Sequence, residues 1–247
     1  MAKTLTAADI AKRAAAREAV KLVESGMRLG LGTGSTAAWF VELLGERIRE
    51  EGLKVTGTPT SERTARLAAR HGVPLVTLDE AGWLDLTVDG ADEFDAALTL
   101  IKGGGGALLQ EKIVAVASDR MVVIADETKQ VETLGAFPLP VEIVPFGWET
   151  TKAIVEEMLE DMDVDGRSST LRMAKDAPYV TDCGHYILDL HLRRIGDPED
   201  LSGALNAIPG VVENGLFIEI ADMAVVGHED DTATTIEAPD LTEDDEH

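Results

Sequence analysis

Short, unbroken apolar runs alternate with amphipathic stretches through the first half of the chain, and few architectures accept that pattern. MRLGLGTGST carries an apolar run into a Gly/Thr/Ser loop. AAWFVELLGERIREEG follows, with Trp39, Phe40, Leu43, Leu44 and Ile48 at helical spacing. LKVTGTP then reads as a strand, SERTARLAARHG as a helix capped by Ser61, and VPLVTL as a further strand. LDLTVDGADE ends in an acidic turn, LTLIKGGGG ends in glycines, ALLQEKIVAVA reads as a helix, and MVVIADETK is an apolar strand with a polar end. Strands without polar alternation must be covered on both faces, and the intervening helices supply the covers. The pattern predicts an α/β fold: a Rossmann-like parallel sheet with helices on both faces.

The pattern changes at Pro138 and Pro140. VEIVPF, ETTKAIVEEMLEDM, SSTLRMA, HYILDLHL, PEDLSGALNAIPG and VVENGLF read strand, helix, strand, strand, helix, strand, the order of a small ferredoxin-like α+β domain. ADMAVVG reads as one more strand, returning to the large sheet. The expected division is a Rossmann-like domain over 1–137 and 213–230, a small domain over 138–212, and a solvated acidic tail over 231–247.

Composition narrows the partners. Asp and Glu number 46 against 22 Lys and Arg, a formal charge of −24; residues 228–247 carry nine of the acids and no Lys or Arg, so most of the excess lies elsewhere in the chain. A nucleic-acid partner needs clustered Lys and Arg to neutralise its phosphates, and none is expected here. No run approaches the roughly 20 apolar residues that cross a bilayer, so no membrane partner is expected either. The opening TAADIAKRAAAREAVKLVESG reads as an amphipathic helix capped at Thr6 and stopped at Gly26, without the apolar core of a signal peptide. A cytoplasmic protein is expected. Cys183 has no second cysteine to pair with, and no Cys/His spacing suits zinc; it reads as a buried or half-buried structural thiol. The five histidines fall at no ligand spacing.

Polar clusters follow four of the expected strands: Thr33, Gly34, Ser35 and Thr36 after 27–30, Asp89 and Asp92 after 84–88, Lys102 and its glycines after 98–101, and Asp126 and Lys129 after 121–125. A parallel sheet gathers its strand C-termini on one edge, where ligands bind. GLGTGST fails the dinucleotide fingerprint, because its glycines are wrongly spaced and the second strand ends in Thr58-Pro59-Thr60 with no acid for a ribose. Lys102 precedes its glycines, so a P-loop fails too. What remains is a loop of amides and hydroxyls at a helix N-terminus, suited to one phosphate or to nothing more than a turn. Asp89, Gly90, Ala91 and Asp92 form a turn whose carboxylates face a ligand, bind magnesium or simply close the turn. Four consecutive glycines, Gly103, Gly104, Gly105 and Gly106, carry an entropic penalty that close backbone approach to a ligand explains. Glu111 lies about one turn inside the following helix, as part of the site or as a solvated acid pairing with Lys112 or Lys129. Lys102 among acids keeps its proton, which favours an electrostatic role over a Schiff base.

Taken together, GLGTGST, TVDGADE, IKGGGGALLQEK and ADETKQVETLGAFPLPVEIVPF, in this order and spacing, resemble the ribose-5-phosphate isomerases of the A type. LNAIPGVVENGLF extends the likeness, which covers nearly all of residues 5–228. The acidic extension beyond it departs from the family's pattern. The resemblance implies interconversion of ribose 5-phosphate and ribulose 5-phosphate with no metal and no organic cofactor. It implies that residues 33–36, 89–92, Lys102, Gly103, Gly104, Gly105 and Lys129 hold the sugar and its phosphate, and that Glu111 is the general base. Moving a proton between C2 and C1 asks for one carboxylate that reaches both carbons, with an ammonium beside the enediolate oxygen. Lys102 suits the second part; Asp89 is expected to act on the sugar oxygens and in ring opening, and Asp92 to orient the substrate or Lys102. A homodimer or homotetramer is expected. A sugar-phosphate sensor from a transcription regulator would need a helix-turn-helix segment and a basic surface, and a deaminase or acyl-carrier transferase is a further alternative.

The acid excess also points to a halophilic protein, adapted to concentrated salt, since the screening length falls from about 10 Å at 0.1 M to about 3 Å at 1 M ionic strength. The melting temperature is expected to rise between dilute buffer and molar KCl; a thermal scan indifferent to KCl counts against this reading.

Overall fold

The computed structural model describes residues 5–239. Residues 240–247 of the expected acidic tail lie outside them. Helix α1 (Ala7–Ala19) opens the fold; its Thr6 cap accepts from the Asp9 amide while the Asp9 side chain returns to the Thr6 amide. There follow β1 (Arg28–Leu31), α2 (Ser35–Glu51), β2 (Thr56–Pro59), α3 (Glu62–Arg70), the single turn α4 (Leu78–Ala81), β3 (Leu86–Gly90), β4 (Glu93–Phe94), β5 (Leu100–Ile101), α5 (Leu108–Val116) and β6 (Met121–Asp126). The second half supplies β7 (Leu139–Ile143), α6 (Trp148–Met158), β8 (Ser168–Leu171), β9 (Met173–Ala174), β10 (Ala177–Pro178), β11 (Tyr186–His191), α7 (Pro198–Asn206), β12 (Val211–Asn214), β13 (Leu216–Phe217), β14 (Met223–Gly227) and β15 (Ala233–Glu237).

The large sheet runs β15-β14-β6-β3-β1-β2, parallel throughout except for the edge strand β15. Alternate residues of β6 feed opposite faces. Val122 and Ile124 pack with Phe40, Val41 and Leu44 of α2 and with the alanines of α1, whereas Met121, Val123 and Ala125 pack with Phe94, Leu100 and Phe217. Each fully buried side chain of this kind contributes about 1.5–3 kcal/mol. The second sheet is antiparallel in the order β12-β7-β11-β8, and with α6 and α7 it forms the ferredoxin-like arrangement. Leu139, Val141, Ile143, Leu188 and Leu190 of its strands bury against Val155, Leu201 and Leu205. Among the described residues no helix is long and apolar enough to cross a membrane.

Several segments depart from the sequence reading. VPLVTL is not a strand of the sheet: Pro74 has no N–H to give, and the segment touches β2 only where Gly57 donates to the Pro74 carbonyl and accepts from the Val76 amide. The strand expected at 98–101 does not join the parallel sheet. Leu98 turns the chain at φ 58°, and β5 forms a small antiparallel sheet with β4 and β13. VVENGLF divides at Gly215 between two sheets, so the small sheet extends to Asn214 instead of ending at 212. Residues 233–237, read as tail, pair with β14, because a strand edge left unpaired finds a partner in the returning chain. Cys183 is exposed in a polar turn, not buried.

The parallel strands bring the loops after β1, β3 and β6 to one edge, and Lys102 arrives there from the three-stranded sheet, at the end of β5. Its amide donates to the Gly215 carbonyl, whose own amide donates to the Pro140 carbonyl, both at 2.8 Å. A Cβ on Gly215 would lie 2.3 Å from the Lys102 carbonyl oxygen, backbone that has no rotamer to escape into. Gly215→Ala is expected to destabilise the fold by about 1–3 kcal/mol in urea unfolding; an unchanged midpoint would show that this junction is looser than described.

Candidate active site

The loop after β1 is built by exclusion. A Cβ on Gly32 would fall 2.1 Å from Asp89 Oδ1, so the loop lies against that carboxylate only because the side chain is missing. Gly34, at φ +127°, opens α2 without a side-chain cap, which leaves the leading amides of a 17-residue helix free for an anion. Ser35 and Thr36 sit on that first turn. Thr33 does not present its hydroxyl: Oγ1 lies 2.8, 2.7 and 3.1 Å from the hydroxyls of Thr60, Ser61 and Thr64, and its amide donates to Asp89 Oδ1 at 3.0 Å. It fixes the loop from behind.

Three ionisable groups meet beside this loop. Asp89 is fully buried at the end of β3; Oδ1 also accepts from the Gly90 amide at 2.7 Å, and Oδ2 faces Lys102 Nζ at 3.0 Å. Lys102 donates to the Gly90 carbonyl at 2.6 Å and lies 3.5 Å from Glu111 Oε1. The Gly90 contact has hydrogen-bond geometry, whereas the two carboxylates are held as ion pairs. The Phe217 ring underlies the ammonium, 5.4 Å from its centroid. Glu111, in the first turn of α5, is 3 % exposed, and its Oε2 has no hydrogen-bond partner. Lys112 does not neutralise it, being paired with Glu213 at 2.7 Å.

Burial, reinforced by the Asp89 charge, pushes Glu111 up to about 8. Burial also raises the Asp89 carboxyl, against the pull of Lys102 and two amides. Burial acting alone would lower Lys102, but Asp89, Glu111 and Asp92 outweigh it and hold the ammonium above its ordinary value. The cluster thus keeps a cation beside a carboxyl group poised near neutrality.

Lys102, Glu111, Gly90, Ala91, Asp92, Gly103 and Gly105 share one cavity of about 130 Å³ with residues 33–36 and Lys129. Asp89 and Gly104 are not on its wall. Asp89 braces Lys102 and the β1 loop, while the exposed Gly104 donates its amide to Asp92 Oδ2 at 2.7 Å. Asp92 is therefore the aspartate of this turn that lines the cavity. Lys12 of α1 also lines the cavity and went unnoticed in the sequence, where it is one basic residue among several on a polar helix face. The packing of α1 across β6 and β14 is what carries it to the site. Among the described residues no three His, Cys, Asp or Glu side chains are arranged to hold a metal ion; an ammonium stands between Asp89 and Glu111 instead.

Comparison with known proteins bears directly on this arrangement. The model of the ribose 5-phosphate isomerase A (phosphoriboisomerase A) family matches residues 56–231. Ribose-5-phosphate isomerase A of Ruegeria sp. is 68% identical over 230 residues, 93% of this chain and 88% of the relative. The structure of ribose 5-phosphate isomerase A from Methanocaldococcus jannaschii superposes with a TM-score of 0.85 at 43% identity, covering 94% of this chain and 100% of the other. A D-ribose-5-phosphate isomerase solved in complex with phospho-erythronic acid superposes equally well, at 0.85 and 43%, over 92% of this chain and 97% of its own. Likeness of this depth along nearly the whole chain shows that it belongs to the ribose 5-phosphate isomerase A family, the enzymes that interconvert ribose 5-phosphate and ribulose 5-phosphate.

Proposed function

We propose that the cavity holds ribose 5-phosphate in its open form, with the phosphate on the first turn of α2 beside Ser35, Thr36, Lys12 and Lys129, and that Glu111 moves the proton between C2 and C1. The observation that carries this reading is the buried, unpartnered Oε2 of Glu111 on the wall of a cavity that also holds the Lys102 ammonium.

Glu111 takes the proton from C2, and the electron pair left behind forms the C1–C2 double bond as the carbonyl electrons move onto O1. The enediolate charge develops beside Lys102 and the glycine-loop amides, fixed donors whose loss typically costs about 2.7–4 kcal/mol each. A proton passes between O2 and O1, and the acid form of Glu111 returns its proton to C1, leaving the ketone at C2. We assign the oxygen-to-oxygen transfer and ring opening to Asp92. Asp89, to which sequence reasoning gave that part, has no access to the cavity and serves to hold Lys102 and the phosphate loop. The relative bound to phospho-erythronic acid supports the reading, because a phosphate and an acidic sugar end are what these amides and ammonium groups suit.

A base raised to about 8 is lost as the pH falls through that value, so the acid limb of kcat/KM should lie far above the ordinary 4.5 of a glutamate. Glu111→Gln should lower kcat by at least about 10²-fold with substrate binding still measurable; near-parental turnover removes Glu111 as the base. The same raised value means that the folded carboxyl holds its proton more tightly than the unfolded one. Its stabilisation is complete below about 4.5 and disappears as pH rises through about 8, and Glu111→Gln should flatten that alkaline decline in urea midpoint. Lys12→Ala, Lys129→Ala or Thr36→Ala should mainly raise KM, and a defect confined to kcat would contradict a phosphate-binding role.

A further inference from the structure

One side chain of the small sheet reaches into the glycine-rich loop. Arg172 lies between β8 and β9, mostly buried, and Asp189 of β11 holds its guanidinium in a two-pronged pair, Nε to Oδ2 at 2.9 Å and Nη2 to Oδ1. The remaining arm, Nη1, donates to the Gly103 carbonyl at 2.8 Å and lies 3.3 Å from the Gly104 carbonyl. The peptide between Gly103 and Gly104 is thereby held at both ends. Its oxygen accepts from Arg172, and its N–H donates to Asp92 Oδ2 at 2.7 Å on the opposite side. A trans peptide points its C=O and N–H in opposite directions, so fixing one end aims the other.

Glycine makes that clamp necessary. Gly103 sits at φ +104°, and a Cβ on Gly104 would fall 2.5 Å from Asp92 Oδ1, so side chains cannot rigidify the loop. Glycines on both sides of one peptide let it rotate at little cost. Turned over, it would lose its bond to Asp92 and point a carbonyl oxygen at that carboxylate instead.

We propose that Arg172, oriented by Asp189, is a positioning residue for isomerisation: it fixes the Gly103–Gly104 peptide so that its N–H holds Asp92 towards the substrate. The proposal rests on the assignment of Asp92 to proton transfer made above. Arg172 touches neither the phosphate-binding turn of α2 nor Glu111, so its loss acts on turnover and not on substrate capture.

The experiment measures kcat, KM and melting temperature for Arg172→Gln, Arg172→Lys, Asp189→Asn, Asp92→Asn and the double variant Arg172→Gln/Asp92→Asn. Arg172→Gln should lose about 10- to 100-fold in kcat with KM nearly unchanged, the scale expected when a reacting group is misplaced by about 1 Å. Arg172→Lys, which keeps one donor for the Gly103 carbonyl, should recover part of that loss, and Asp189→Asn should show a smaller loss of the same kind. On the Asp92→Asn background Arg172→Gln should add little, because the two act through one peptide. Parental kcat in folded Arg172→Gln with Asp92→Asn impaired overturns the positioning role alone, as does a fully additive loss in the double variant. Parental turnover in Asp92→Asn overturns the earlier assignment of Asp92, and this route with it.

Discussion

A buried ammonium between two buried carboxyl groups governs this site. Charges away from water are tolerated only when paired and hydrogen-bonded, and the pairing here is unequal. Asp89 has two backbone amides on Oδ1 and the ammonium 3.0 Å from Oδ2, and Lys102 has the Gly90 carbonyl as well as the acids, but Glu111 has the ammonium 3.5 Å from Oε1 and no amide, and its Oε2 has no hydrogen-bond partner. The imbalance falls on Glu111, whose proton affinity it raises, in keeping with the base role proposed for it.

The architecture divides the work among three sheets. Parallel strands bring the first turn of α2 and the Asp89–Asp92 turn to one edge, where Asp89 Oδ1 accepts from the Thr33 amide. The antiparallel strands act from the side. The β5–β13 pairing seats Lys102 against Gly215, and Arg172 reaches across from the small sheet to the glycine loop. Glycine allows that loop close approach to a ligand, and the loop gains its rigidity from neighbours instead of from its own residues. Arg172 and the Asp92 carboxylate are the hands on either side of it.

The residues around the cavity were legible in the sequence to the extent that strand ends announce them. Thr36, Asp92, Lys102 and Lys129 follow apolar runs, Glu111 lies inside the helix after the glycines, and all five line one cavity. Which of two aspartates meets a ligand was not legible, because DGADE places both in the same turn and only the depth of β3 in the sheet buries Asp89. The direction of the Thr33 hydroxyl was not legible either: it faces Thr60, Ser61 and Thr64, which lie about 30 residues further along the chain. Lys12 and Arg172 had no local signal, since a cation on a helix face or beside a short strand is ordinary surface chemistry until another element packs against it.

The amino-acid sequence by itself determined the α/β layering, the small second sheet and the set of polar groups at the strand ends, since periodicity and glycine placement act over a few neighbouring residues. The tertiary structure alone decided protonation, access and support: which carboxyl is dry, which oxygen lacks a partner, and which distant cation pins the loop. Those properties depend on burial and on distances of a few ångströms between segments far apart in the chain, and no local pattern of residues encodes either.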